Sequence, residues 1–461
     1  MLVYLWILGF LFGYWGGKCQ VASRCHDTKP HKIIAGASMA IVFVTLTAAA
    51  ANILKWVSFF TFPRGVPAQP VIVLFLTFAT LAGIILMELS TPKKRFFWDA
   101  FKASAPAIIV FLLAAMIPLL SATIVYPVFG WDALSYWMPV TIEGSLAEGG
   151  SIQVTERIRT AHPALLPALI SLSLDQGSSG DSNSISTLYA LGALTAVITL
   201  YGFSRVLGFS SLGSLIWCLL LLSVPLYVNH ILIVGYSEAW VCLFIFQSTV
   251  VIFIYGQRKS KRLIFSAICL FVAVIFLRNT GIINLVAFMA ALQIALFSCR
   301  KRLLFPLGVL VVLVFCAGLG GGALSFGGVK FGFVADPLRL IIAGYSLPVA
   351  APEIDTFLSI THQSLFLNIS FSTAVLAIIT CLIIMLRATN KSITFSYALL
   401  AAVPVCQICV AFLSLFTAYG VSHALPSNDT GFSRQLLVGI ISAIPLIIYS
   451  CRIVSAETKS T

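Results

Sequence analysis

Apolar runs close to the ~20 residues that cross a bilayer as a helix recur along almost the whole chain, with short polar links between them. Thirteen such runs read as membrane-spanning helices: residues 2–17, 33–54, 70–89, 104–125, 185–204, 211–231, 237–255, 263–277, 281–298, 303–322, 365–386, 394–417 and 436–451. The run at 263–277 is short enough to be tilted or partly re-entrant, so the predicted count is about 13, within a range of 11–13. The apolar stretch 340–351 is too short to span and reads as a re-entrant or interfacial piece. The first run has neither a basic flank nor a small-residue cleavage site, which argues against a removable signal peptide. The pattern therefore predicts an all-α, polytopic membrane protein. It divides into three N-terminal spans (1–103), a core of spans with a long link at 126–184 (104–322), and a second long link at 323–364 followed by C-terminal spans (323–461). The link at 126–184 is expected to carry interfacial helices.

Composition agrees: 60% of the 461 residues are hydrophobic and only 9% charged, with a mean hydropathy of +1.04. A soluble chain would have about 25% charged residues. The net charge of +13 does not point to nucleic acid, because the basic clusters TPKKRFFW, GQRKSKR and CRKR sit in short links between apolar runs. With the N-terminus outside and thirteen alternating spans, the inner side holds 20 basic and 4 acidic residues (net +16). The outer side holds 8 basic and 11 acidic residues (net −3). Cytoplasmic links are enriched in Lys and Arg, so the expected orientation is N-terminus outside and C-terminus cytoplasmic. Both long links then lie outside, as does 418–435. Loops of that length usually carry function. The eleven cysteines are mostly single and embedded in apolar runs, and none shows zinc spacing with a His, so no disulfide framework or zinc site is implied.

Candidate chemistry gathers at the outer ends of the runs. In GWDALSYWMP, Asp132, Ser135, Tyr136 and Pro139 stand at i, i+3, i+4 and i+7, one face of a helix. Trp131, Tyr136, Trp137 and Met138 suit a helix lying at the interface. Asp132 reads either as the N-cap of that helix or as an acid that handles a proton near the membrane surface. His162 precedes a Pro-punctuated apolar stretch, where it serves either a backbone bond or a substrate. Glu238 opens the seventh run in GYSEAW, Arg278 sits in the turn FLRNTG, and Arg434 precedes the last run in FSRQLL. Each of these charges alone fits an interfacial end residue. Together they place acids and arginines at one depth, where charge is costly unless paired or functional, and that combination suits an anionic phosphate head on an apolar tail. GLGGGALSFGG at 318–328 lacks the Lys-Ser/Thr of a phosphate-binding loop and is expected to serve close helix packing.

In order, WDALSYWMP, AHPALLPAL, GYSEAW, RNTG and FSRQLL resemble the motifs of multi-span GT-C superfamily glycosyltransferases, most of all bacterial relatives of dolichyl-phosphate-mannose-protein mannosyltransferases. The likeness runs over residues 125–450. It implies a bacterial inner-membrane enzyme that moves sugar, with inversion, from a polyprenyl-phosphate donor to the hydroxyl of a lipid, glycan or protein acceptor on the external face. Residue 104–322 would be the catalytic core and 1–103 an addition ahead of it. Asp132 matches the family's catalytic base, Glu238 the acid of a Tyr-Ala-Asp segment, Arg278 a hairpin Lys, and Arg434 the terminal Arg. Tyr136 and His162 are carried as further substrate-binding positions. Trp137 stands where the family usually has His, and Gln435 where it has Tyr. The resemblance implies no organic cofactor and leaves a divalent metal open. A glycan polymerase or ligase with a lipid-linked donor, and a transporter or flippase, are the rival classes.

Overall fold

The computed structural model describes residues 2–16, 29–61, 128–129, 165–166, 169–170, 182–234, 236–258, 261–277, 281–296, 321–326, 329–335, 338–342, 345–348, 354–367, 369–388, 395–415 and 431–457. Helices dominate. They are α1 (Leu2–Gly16), α2 (Lys29–Thr61), α3 (Ser182–Val206), α4 (Ser211–Leu222), α5 (Pro225–Leu232), α6 (Glu238–Arg258), α7 (Lys261–Leu277), α8 (Gly281–Leu296), α9 (Ile354–Leu367), α10 (Ile369–Ala388), α11 (Phe395–Ser414) and α12 (Gly431–Glu457). Among the described residues, four stretches are long and apolar enough to cross a membrane: Pro30–Ala48, Ile185–Val206, Phe395–Phe412 and Arg434–Ser455. A fifth exists if α4 and α5, bent by 73° at Pro225, count as one span. Shorter apolar helices include Glu238–Ile254, Phe265–Val274, Asn284–Ala295 and Ser370–Ile384. This is the build of a membrane protein. Of the thirteen predicted runs, 70–89 and 104–125, and all but the last two residues of 303–322, lie outside the described residues.

Helix α6 is the centre of the packing, touching α2, α3, α5, α7, α11 and α12. It is apolar nearly all round, and residues 239–251 are buried without interruption, as expected of a helix enclosed by others. Polar side chains tie the helices together at mid-length. Trp6 Nε1 donates to Thr195 Oγ1 at 2.8 Å, joining α1 to α3. Gln247 Nε2 donates to Ser38 Oγ at 2.9 Å, and Thr199 Oγ1 donates to Gln247 Oε1 at 3.1 Å, joining α6 to α2 and α3. Small residues let α1 and α2 approach closely: a Cβ on Gly9 would lie 2.8 Å from Ala40 Cα, and one on Gly13 would collide with Ala35 O. The first two helices are therefore fastened into the bundle.

The relative direction of several helices follows from which ends meet. Gly208, at φ +87°, closes α3, with Phe209 N donating to Ser204 O at 3.1 Å; this is a left-handed helix stop that favours glycine. Arg452, near the end of α12, lies beside that turn. Tyr449 of α12 packs edge-on against Phe253 near the end of α6. At the opposite end, Arg434 and Tyr236 meet just where α12 and α6 begin. Helices α3, α6 and α12 thus run the same way.

Among the described residues, two small sheets depart from the all-α expectation. Strand β1 (Val128–Phe129) pairs in parallel with β2 (Ile233–Val234), with Val128 opposite Ile233 and Phe129 opposite Val234. Strands β3 (Gly321–Phe326), β4 (Val329–Ala335), β5 (Leu338–Ile342) and β6 (Tyr345–Pro348) form an antiparallel meander in that order. The glycine-rich stretch expected to serve helix packing therefore begins a sheet, and the apolar piece at 340–351 is largely the end of β5 and β6 rather than a re-entrant segment. The reason lies in the period: VKFGFV alternates every second residue, and each strand is joined to the next by a two-residue link.

Candidate functional site

The site is built where β2 hands the chain to α6. Ser237 C=O accepts the first helical bonds, from Trp240 N at 3.1 Å and Val241 N at 3.0 Å, so Ser237 occupies the cap position and Glu238 the first turn. A carboxylate is favoured there by the helix dipole. That accounts for its position but not for its depth: Glu238 is only 3% exposed, and a buried carboxylate is costly unless polar groups surround it. Ser237 Oγ lies 3.4 Å from Glu238 Oε2.

Tyr236 is the hub. Its carbonyl accepts a hydrogen bond from Tyr189 OH of α3 at 3.1 Å. The guanidinium carbon of Arg434 lies 3.9 Å from the centre of its ring, a cation–π contact. The His230 ring sits 5.3 Å from it, tilted by 44°. Trp240 meets Tyr189 edge-on at 6.0 Å, and its buried Nε1 has no hydrogen-bond partner among the described residues. Arg434 is the fourth residue of α12. A cation at a helix start runs against the dipole, so helix stability does not explain it; the face of Tyr236 offsets part of that cost.

His230 Nδ1 lies 2.8 Å from Leu226 O. A carbonyl only accepts, so Nδ1 carries the hydrogen and, in the neutral ring, the lone pair is on Nε2. His230 is 1% exposed, near the end of α5. Neither His230 nor Tyr189 was singled out by sequence reasoning. The available signal was a histidine within the apolar run PLYVNHILIV, just ahead of GYSEAW.

Of the predicted residues, Arg434 is brought onto Tyr236, two residues before Glu238 at the start of α6. Asp132, Tyr136, His162 and Arg278 lie outside the described residues. Their flanking elements are informative. β1 ends three residues before Asp132, and β2 ends two residues before Tyr236. The two strands point the same way and lead into similar sequences, Phe-Gly-Trp-Asp and Val-Gly-Tyr-Ser-Glu. Arg278 directly follows α7. Downstream of His162, Leu165, Leu166, Leu169 and Ile170 are helical and buried in the core.

The arrangement combines a buried acid and a ring-stacked guanidinium at the starts of two parallel helices with a histidine near the end of α5. It can hold an anion through Arg434 and the N–H-rich helix ends. Among the described residues, no group of three or more His, Cys, Asp or Glu could hold a metal ion. Comparison with protein-family models, curated proteins and solved structures finds no significant match to this chain.

Proposed function

We propose that the chain is an integral membrane glycosyltransferase that moves a sugar from a polyprenyl-phosphate donor to an acceptor hydroxyl at the external face. One observation carries the reading: Arg434, at the outer end of the last predicted run, stacks on Tyr236, two residues before the buried Glu238 that opens α6, although the arginine comes from the far end of the chain. In this reading Arg434, with Arg278, neutralises the charge that builds on the departing phosphate. Asp132 takes the proton of the incoming hydroxyl, which attacks the anomeric carbon from the opposite face and inverts it. Glu238 contacts the sugar or orders the arginines, and Tyr236 holds Arg434 in place. The β1–β2 pairing supports this by tying the chain just before Asp132 to the chain just before Tyr236. The order of the five motifs supports the resemblance on which the donor rests.

The protein is placed in the bacterial inner membrane with its N-terminus outside and its C-terminus in the cytoplasm. The charge asymmetry supports that orientation, and the shared direction of α3, α6 and α12 agrees with the alternation of spans it assumes. The test is binding of a labelled polyprenyl phosphate, without sugar, to the protein in nanodiscs. Arg434→Ala should weaken binding about 10- to 100-fold, the scale of a hydrogen bond to a charged group, and Arg434→Lys should restore part of it. Equal binding by wild type and Arg434→Ala would remove the arginine from the site.

A further inference from the structure

The turn that joins α3 to α4 gathers two arginines from distant parts of the chain. Arg205, in the last turn of α3, donates from Nη1 to Phe209 O at 2.6 Å. Arg452 of α12 rests against the residue before it: a Cβ on Gly208 would lie 3.3 Å from its Nη2 and 3.6 Å from its Cζ. Both arginines are partly exposed. Among the described residues neither meets a carboxylate, and Arg452 makes no hydrogen bond. Arg205 is accounted for, because a cation at the end of a helix is favoured by the dipole and its N–H closes the turn. Arg452 is not. It stands ahead of the last turn of its own helix and brings a second positive charge to the first. Half-buried like charges side by side are costly without a counter-ion. The exposed first residues of α4, Ser211 and Leu212, add backbone N–H groups of the kind that favour an anion.

The helix that leaves this turn shows what surrounds it. Leu212, Ile216 and Leu219 of α4 stand at i, i+4 and i+7, one face of the helix, and are 70%, 51% and 55% exposed. The opposite face is buried and holds Ser214 and Cys218, with Cys218 Sγ 3.4 Å from Val197 O of α3. The outward face is thus more apolar than the inward one, the reverse of a helix whose outer face meets water. Small and polar residues between helices, with leucine and isoleucine outside, are the pattern of a helix in lipid. Residues Ile185–Val206 of α3 and Arg434–Ser455 of α12 have the length and composition to cross a membrane, and α4 with α5 does so as one bent pair. Gly208 and Arg452 lie at the ends of those stretches opposite Arg434 and Tyr236. The two arginines therefore sit where hydrocarbon gives way to headgroups.

We propose that the α3–α4 turn binds the phosphate of an anionic phospholipid, held between Arg205 and Arg452 with an acyl chain along Leu212, Ile216 and Leu219. Guanidinium N–H groups meet phosphate oxygens in pairs, and basic clusters between helix ends recruit acidic headgroups. The lipid supplies the counter-charge that no described carboxylate gives Arg452. Under the orientation above, this end of α3 and α12 is the cytoplasmic one, far from the candidate site at Tyr236. The inference rests on the membrane reading alone and is independent of the transferase chemistry.

The test titrates dioleoyl phosphatidylglycerol into the full-length protein in a non-ionic detergent and counts bound lipid by native mass spectrometry. Arg452→Gln and Arg205→Gln should each weaken binding of the first lipid about 10- to 100-fold, the scale of a hydrogen bond to a charged group. Lys391→Gln removes the same charge from a link on the predicted inner side and should weaken it no more than about 5-fold, the effect of any basic residue near an anionic surface. Gly208→Asn keeps both arginines and a residue that tolerates left-handed backbone, but sets a side chain against Arg452. It should weaken binding several-fold, and it keeps the result readable if an arginine variant does not fold. Dioleoyl phosphatidylcholine, with the same chains and no net charge, should bind several-fold more weakly, and glycerol 3-phosphate in large excess should not displace the lipid. Four outcomes would overturn the inference. Equal losses in Arg452→Gln and Lys391→Gln would mean diffuse surface attraction. Unchanged binding by Gly208→Asn would mean that the seat of Arg452 is not used. Equal affinity for the two lipids would mean that the chains alone are held, and displacement by glycerol 3-phosphate would make a soluble phosphate compound the ligand.

Discussion

Replacing Gln247 by leucine should cost only about 1–2 kcal/mol, and the reason lies in what its partners do afterwards. Gln247 is fully buried in α6, donates to Ser38 of α2 at 2.9 Å and accepts from Thr199 of α3 at 3.1 Å. Ser38 already donates its own hydrogen to Ile34 O at 2.8 Å, and Thr199 has Thr195 O at 2.8 Å. Leucine would therefore strand no buried donor on either hydroxyl, which is the expensive outcome. What remains is the loss of two interhelical hydrogen bonds, each worth about 0.6 kcal/mol on average and up to about 1.7 between membrane helices. Leucine also fills most of the volume. Gln247→Ala makes the same loss and leaves a cavity at the centre of the bundle, so it should cost about 2–4 kcal/mol. Equilibrium unfolding of the full-length protein by steric trapping in bicelles reads both. A leucine penalty above about 3 kcal/mol, or one equal to that of alanine, would refute the reasoning and show that the glutamine satisfies a further buried group.

Gly9→Ala and Gly13→Ala should each destabilise the same unfolding transition by about 1–3 kcal/mol, the usual cost of overpacking, because the new Cβ would meet the backbone of α2; unchanged stability would mean that α1 and α2 separate easily. Tyr236→Phe should leave polyprenyl-phosphate binding near wild type, since the ring face under Arg434 is kept, while Tyr236→Leu should weaken it about 2- to 30-fold for a lost cation–π contact of about 0.5–2 kcal/mol on a buried ring. Equal effects of the two substitutions would assign the role to the hydroxyl. A green fluorescent protein joined after Thr461 should fluoresce and an alkaline phosphatase joined there should be inactive, as the +16 side demands; the opposite pair of results would invert the orientation.

Much of the helical architecture was legible because an apolar run of membrane length can do little else in an apolar solvent. Glu238 and Arg434 were legible for a related reason: a charge at the edge of such a run stands out. The stacking of Arg434 on Tyr236 was not. Tyr189 reaches Tyr236 across 47 residues, and Arg434 reaches it from the far end of the chain, distances over which periodicity says nothing. His230 was hidden because the polar pair Asn229-His230 does not break the apolar pattern of PLYVNHILIV. The meander was missed because short apolar runs do not separate strand from helix by hydrophobicity alone. Its signals were present in the alternation of VKFGFV and in the links Gly327-Gly328, Asp336-Pro337 and Ala343-Gly344, of which the first is a strong two-residue hairpin signal.

The central claim is tested most directly by turnover. Wild-type protein and Asp132→Asn, each in nanodiscs, are given a panel of radiolabelled polyprenyl-phosphate sugars, and release of label from the lipid is followed together with donor binding. The account predicts release from at least one donor by the wild type, lost at least 100-fold in Asp132→Asn, the lower end of what a positioned general base contributes, with donor binding retained. Release that persists in Asp132→Asn would contradict the assignment of the base, and a wild type that neither binds nor turns over any such donor would contradict the transferase reading itself.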